Sequence, residues 1–293
     1  MFGKRRYFYL HFLLIGISIF LLAGVLFPYL VRNFSSDVQR RPVAPRKDNR
    51  VAVEQEEGPS LPSAGAVQGW GFVPGKNGQP PQITEEQRQI LQKYGAVFMG
   101  KPASRRIALT FDMGYEEPRS TEQVLKVLRK HRVKGAFFTT AYWLEKNPAL
   151  ARKIVQEGHI LANHSVNHPS MPSLNEAEMK EEILGWQRLA EKITGQKGFK
   201  YFRPPRGEYD ERSLAVTRQL GYTTVFWSVA IVDWQPLPGG PEQMVKEVME
   251  QIHPGAIVLL HPKSQDVRDG LDRLIQEIKK KGLQPVSLEE VLR

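Results

Sequence analysis

The sequence contains no cysteine. This excludes disulfides, thiolate zinc sites and cysteine nucleophiles together, so any bound metal has only imidazole, carboxylate and water to hold it. Internal repeats and heptads are also missing. Long uncharged runs are scarce, and the one that stands out, Tyr7 to Val31 (YFYLHFLLIGISIFLLAGVLFPYLV), is longer than the roughly 7–15 residues of a signal-peptide core and long enough to span a bilayer. No A-x-A-like cleavage site follows it. The expectation is therefore an uncleaved anchor, with a cleaved signal as the alternative. Three basic residues precede the run and six follow closely (Arg32, Arg40, Arg41, Arg46, Lys47, Arg50), a count that orients nothing firmly because long domains translocate regardless of flanking charge.

What charge there is lies unevenly. The net charge is +10, yet residues 1–50 hold nine Lys and Arg against Asp37 and Asp48, which leaves the remainder nearly balanced. No aromatics are interleaved with this basic stretch, which argues for a membrane-surface or anionic-wall contact, or a plain solvated linker, and against nucleic-acid binding.

From Arg32 to Gln82 the chain is rich in Pro, Gly and charge, with too few clustered apolar residues for a core. We read residues 1–31 as anchor or signal, 32–82 as a flexible linker and 83–293 as the catalytic domain. Within the linker "GWGF" is an aromatic cluster read as loosely packed. Beyond it, apolar runs alternate with amphipathic segments. Strands are predicted at 107–111, 136–140, 159–162, 200–202, 223–227, 256–260 and 284–286, and helices at 121–131, 148–157, 175–194, 211–220, 241–252 and 270–281. Several helices are followed by a glycine suited to a left-handed cap: Gly135, Gly158, Gly195, Gly221 and Gly282. This order predicts a parallel β/α architecture, an open sheet or a short barrel.

Polar residues gather at the C-terminal ends of the predicted strands, where β/α folds build their sites: Thr110-Phe-Asp112, Asn163-His164-Ser-Val-Asn-His168, Arg203-Pro-Pro-Arg206-Gly207, Val232-Asp233-Trp234 and His261. Each alone has an ordinary reading, as helix cap, ion pair or hydrogen-bonded scaffold histidine. The pair His164-x3-His168 shifts the balance, since four-residue spacing brings two imidazoles to one face of a helical turn, where they can chelate one ion. His11, His131, His159 and His253 have no such company and no assigned role.

"TFDMG", "HSVNH", "RPPRG", "VDW" and "LLH" occur in the order and spacing of the five motifs of polysaccharide deacetylases, carbohydrate esterase family 4, which the chain resembles over about 83–293. "GWGF", "RPPRGEYDERSLA" and "VFWSVAIVDW" bring it nearest to the peptidoglycan deacetylases that make muramic δ-lactam in spore cortex. The resemblance implies a distorted (β/α)7 barrel of the NodB-homology type, preceded by a transmembrane helix and flexible linker. It implies metal-assisted N-deacetylation of N-acetylmuramic acid in peptidoglycan, with N-acetylglucosamine glycans as the alternative substrate and an inactive glycan-binding module as the alternative class. It implies Asp112 as general base, His164 and His168 as metal ligands, Arg203 as the residue orienting the base, His261 as general acid and Asp233 as its partner. The cofactor is a divalent cation, expected to be Zn²⁺. It is expected to be weakly held, because the usual third ligand, an aspartate, is here Met113, a soft neutral thioether. Glu116 is a candidate substitute. The expected partners are the glycan and, through the anchor, the cell membrane, with the catalytic domain outside the cytoplasm.

Overall fold

The computed structural model describes residues 61–293. The predicted membrane span at 7–31 and the linker as far as residue 60 lie outside them. Among the described residues no helix is long and apolar enough to cross a membrane.

In chain order the elements are β1 (Gln68–Gly69), α1 (Glu85–Tyr94), β2 (Arg106–Met113), α2 (Ser120–His131), β3 (Ala136–Thr139), α3 (Ala141–Lys146), α4 (Pro148–Gln156), β4 (Ile160–Asn163), α5 (Glu176–Thr194), β5 (Tyr201–Phe202), β6 (Glu208–Tyr209), α6 (Glu211–Gln219), β7 (Thr223–Thr224), α7 (Gly240–Gln251), β8 (Ile257–Leu260), α8 (Gln265–Lys280), β9 (Gln284–Val286) and α9 (Leu288–Leu292). The seven predicted strands form one parallel sheet in the order β7-β5-β4-β3-β2-β8, with β9 also paired to β2. No ladder joins β7 to β8. Single bridges, Val97 to Val225, Met99 to Ala256 and Val229 to Val258, span that side, so the sheet is a half-barrel rather than a closed cylinder.

Strand β2 shows why the run IALTF reads as uniformly apolar: a central parallel strand is covered on both faces. Ile107, Leu109, Phe111 and Met113 belong to the large core cluster that also takes in residues of α2, α5, α7 and α8, while Ala108 belongs to a second cluster with Phe138, Ala162, Val225 and Ile257. Helix α8 begins at a Ser264 cap and buries Val267, Leu271, Leu274, Ile275 and Ile278, the stripe expected of an amphipathic helix. Of the glycines expected to cap helices, Gly158, Gly195, Gly221 and Gly282 are left-handed. Helix α2 closes instead on left-handed Arg132, and a Cβ at Gly135 would lie 3.0 Å from the Phe111 ring, so close packing explains that glycine.

One boundary differs from the sequence reading. Residues expected in the linker belong to the folded body. β1 pairs antiparallel with β6, and the Trp70 backbone N–H donates to Gly207 O at 2.8 Å. Trp70 stacks on Phe226 with centroids 4.6 Å apart, and its indole N–H donates to Trp227 O at 2.9 Å. Ile90 and Leu91 of α1 share this cluster with Trp70, Tyr209, Leu214 and Phe226. The aromatic ring, buried to 8% exposure, finds its stacking partner Phe226 and its hydrogen-bond acceptors more than a hundred residues downstream, which local composition does not reveal.

Candidate active site

Because the main-sheet strands are parallel, their C-terminal ends share one edge. Asp112 ends there on β2, the His164 loop follows β4, Arg203 follows β5, Asp233 follows β7 and His261 follows β8. Arg203 is wholly buried and donates from Nη1 to Asp112 Oδ1 at 2.7 Å, from Nε to Val225 O at 3.0 Å and from Nη2 to Phe226 O at 3.3 Å. The Phe138 ring lies 4.1 Å beneath the guanidinium. His164 Nε2 approaches Asp112 Oδ2 to 3.7 Å, while its Nδ1 donates to Arg203 O at 2.8 Å. On the other side Asp233 holds His261 twice: Oδ2 accepts the backbone N–H and Oδ1 accepts Nδ1–H, both at 2.7 Å.

The two histidines of HSVNH meet, but not on a helical turn. Residues 164–168 form an irregular bend, with Ser165 (φ 70°) and His168 (φ 58°) left-handed, and the imidazole centroids lie 4.8 Å apart at 74°. Left-handed non-glycine residues persist only where their surroundings hold them. Here Asn163 Oδ1 accepts the Ser165 N–H at 2.8 Å and Ser165 Oγ accepts the His168 N–H at 2.9 Å. Glu182 of α5 accepts the N–H groups of Val166 and Asn167 at 2.9 and 2.8 Å, and the Asn167 side-chain amide at 2.7 Å. Glu182 is thus a positioning residue that the sequence does not expose, one glutamate among several on an amphipathic helix.

The environments push the titrating groups apart. Burial raises the Asp112 carboxyl, but the Arg203 guanidinium above all, with His164 and His261, outweighs it and holds the group below its ordinary value. Burial lowers His164 to about 4 despite Asp112, and lowers His168 as well, so both rings are neutral near pH 7 with a lone pair to offer. Burial also opposes charging of His261, but there the bond and charge of Asp233 prevail and the net shift is upward. The histidines without assigned roles are scaffold: His131 pairs with Asp272 at 2.8 Å, His159 accepts the Gly135 N–H at 3.1 Å, and His253 bonds Ser228 at 3.0 Å. His11 lies outside the described residues.

Residues 99–225 match the polysaccharide deacetylase family. The peptidoglycan-N-acetylmuramic acid deacetylase PdaA of Bacillus subtilis is 40% identical over 224 residues, 76% of this chain and 85% of that protein. The chain belongs to the polysaccharide deacetylase family. The solved structure of Bacillus subtilis PdaA, described as a family 4 carbohydrate esterase, superposes with a TM-score of 0.74 at 39% identity, over 77% of this chain and 97% of that one. A peptidoglycan-N-acetylglucosamine deacetylase of Bacillus cereus is 31% identical over 207 residues, 69% of this chain and 74% of that protein.

Two residues of this deacetylase bear on metal binding. Met113 is buried in the core cluster with Ile107, Leu109 and Phe111, on the alternate side of β2 from Asp112. Glu116 caps α2 instead of entering the site: it accepts the Thr121 N–H at 2.8 Å, the Thr121 hydroxyl at 2.5 Å and the Trp143 indole N–H at 3.0 Å. Among the described residues no group of three or more His, Asp or Glu is arranged to hold a metal. The donor set that remains is the neutral pair His164 and His168, which suits a two-imidazole chelate completed by solvent or substrate. Met113→Leu is therefore expected to leave Zn²⁺ affinity and acetate release unchanged and to cost less than about 1.5 kcal/mol of stability, as volume-conserving core swaps do. Calorimetric Zn²⁺ titration checks this, and a tenfold weaker affinity would make the thioether a ligand after all.

Proposed function

We propose that this polysaccharide deacetylase removes the N-acetyl group of N-acetylmuramic acid in peptidoglycan, on the outer side of a membrane to which Tyr7–Val31 anchors it. The observation that carries the reading is the pairing of an ionised carboxylate, Asp112 on Arg203, with an imidazole whose proton affinity is raised, His261 on Asp233, at one sheet edge. Pairs of groups driven apart in this way are how one site runs base and acid chemistry at the same pH. The 40% identity to PdaA supports muramic acid as the substrate, and the half-barrel sheet fits the distorted (β/α)7 barrel that the family likeness implies.

In this reading Asp112 takes a proton from the attacking water and Arg203 fixes the orientation of its carboxylate. The water oxygen bonds to the acetyl carbon, the C–N bond breaks, and His261 delivers the proton that lets nitrogen leave as an amine, with acetate as the second product. When bound at His164 and His168, a divalent cation, expected to be Zn²⁺, supplies Lewis acidity toward the acetyl carbonyl. Muramic δ-lactam in spore cortex would form in a separate condensation, in which the freed amine bonds to the lactyl carboxyl carbon and water leaves.

The test is acetate release by the full-length chain from peptide-free and peptide-bearing glycan strands, with chelator or added Zn²⁺, followed by product mass. Metal-dependent acetate from peptide-free strands supports the reading. Acetate from N-acetylglucosamine oligomers alone would move the substrate to that sugar, and glycan binding without acetate would make the domain a binding module. A further expectation concerns pH. His261 acts protonated and its affinity for the proton is raised, so turnover is lost as pH rises through that raised value. Asp233→Asn removes the cause of the upward shift and leaves burial, which lowers it; the alkaline limb of kcat should move to lower pH. An alkaline limb that stays in place would exclude His261 as the acid.

A further inference from the structure

The RPPRG turn carries a second guanidinium for which the chemistry above has no use. Arg206 follows Arg203 by three residues, inside the 3-10 turn Pro205–Gly207, with a left-handed backbone (φ 60°, ψ 4°). Surroundings must hold a non-glycine residue in that conformation, and here they are specific. Pro204 and Pro205 precede it. Gly207 follows, also left-handed (φ 68°), in a space where a Cβ would meet the Trp227 ring at 2.9 Å and Trp70 Cβ at 3.3 Å. The Trp70 N–H bond to Gly207 O closes the clamp from behind. Arg203 is buried and committed to Asp112, whereas Arg206 is exposed and, among the described residues, its guanidinium has neither an ion pair nor a hydrogen-bond partner. Arg203, three residues before it, bonds Asp112 through Nη1 and accepts from His164 at its carbonyl, so the turn follows directly on the candidate site. A turn fixed this firmly holds an unpaired cation three residues from the backbone that accepts from His164.

We infer that Arg206 is a specificity-determining residue, whose planar fork receives the carboxylate of a lactyl ether on the sugar carbon next to the one bearing the acetamido group. Guanidinium and carboxylate match in two parallel hydrogen bonds, a geometry that an ammonium does not reproduce. The lactyl carboxylate is what separates muramic acid from glucosamine, so this inference rests on the substrate proposed above and explains how the site selects it. With the acetamide among Asp112, His164, His168 and His261 as proposed above, the inference places the substituent one ring carbon away against the turn that follows Arg203. Lys263, two residues after His261, is also exposed and unpaired among the described residues, but it offers a single point charge and serves as the control for general attraction.

The experiment measures kcat/KM for acetate release by the full-length chain on two substrates: peptide-free glycan strands with free lactyl carboxylates, and the same strands with those groups converted to methylamides. The readout is the ratio of the two. Arg206→Asn is the main variant, because asparagine tolerates the left-handed backbone and the turn is kept. The wild-type chain is expected to favour the carboxylate form, and Arg206→Asn to reduce the ratio by about 10- to 100-fold, chiefly through KM, the range for a charge-assisted bidentate contact. Arg206→Lys should fall between, and Lys263→Gln should keep the wild-type ratio. A wild-type ratio near one, or a ratio that survives Arg206→Asn, overturns the assignment while leaving the substrate standing. A wild-type chain that deacetylates chitooligosaccharides and neither form of the muramic strands overturns both.

Discussion

Asp112→Asn is expected to lower kcat by about 10²- to 10⁴-fold, the range for losing a general base, and to lower the melting temperature as well. Both follow from one contact. The Asp112 carboxylate lies 2.7 Å from a guanidinium that is completely buried, so the isosteric amide removes the proposed proton acceptor and leaves Arg203 without a counter-charge. Breaking a buried pair from one side costs about 3–5 kcal/mol, more than the pair's net worth. Activity must therefore be measured well below the variant's own transition. The double variant Asp112→Asn/Arg203→Met separates the effects: it should regain much of the stability and none of the turnover. A single variant with wild-type kcat would remove Asp112 from the chemistry. The sign with pH is fixed too. The folded-state carboxyl titrates below its ordinary value, so its stabilisation is present at neutral pH and lost as pH falls below the usual carboxylate range through the depressed value.

A chain beginning at Ile83 is expected to melt about 6–20 °C below one beginning at residue 61. It lacks Trp70, and truncating a buried tryptophan costs about 3–5 kcal/mol, which for a domain of this size corresponds to that shift. The loss also frees the RPPRG turn, since Gly207 O and Trp227 O lose their donors. Acetate release should fall in the shorter chain even at temperatures where it stays folded. Trp70→Ala in the full chain is the finer test. Equal melting temperatures for the two chain lengths would return residues 61–82 to the linker.

The main sheet was legible in the sequence because its strands β2, β3, β4 and β8 are short, largely apolar and mostly buried runs, and each long helix carries a single apolar stripe. Helix α1 was missed although its signals are local: Thr84 and Gln87 form a reciprocal capping box and Gly95 ends it left-handed. The short helices α3 and α9 and the strands β1 and β6 give no periodic signal, and β1 has meaning only through a partner about 140 residues away. The candidate residues were legible as residue types at strand ends. Their spatial arrangement was not: spacing suggested a helical turn for His164 and His168, whereas Ser165 and His168 take left-handed backbones under the hold of Glu182. Nor does the sequence distinguish a methionine facing a metal from one facing a core.

The pairing of β1 with β6 also fixes a load path. A pull on the chain from before residue 61 first strains the bond from Gly65 N–H to Asp210 at 3.2 Å, then the pairing of Gln68 and Gly69 with Tyr209 and Glu208, and then Trp70 to Gly207. Those bonds lie behind the turn that carries Arg206, on the face where the reacting groups gather. The point where the described chain enters this domain is therefore close to the turn carrying Arg203 and Arg206, and a pull there would load that turn before the far end of the sheet.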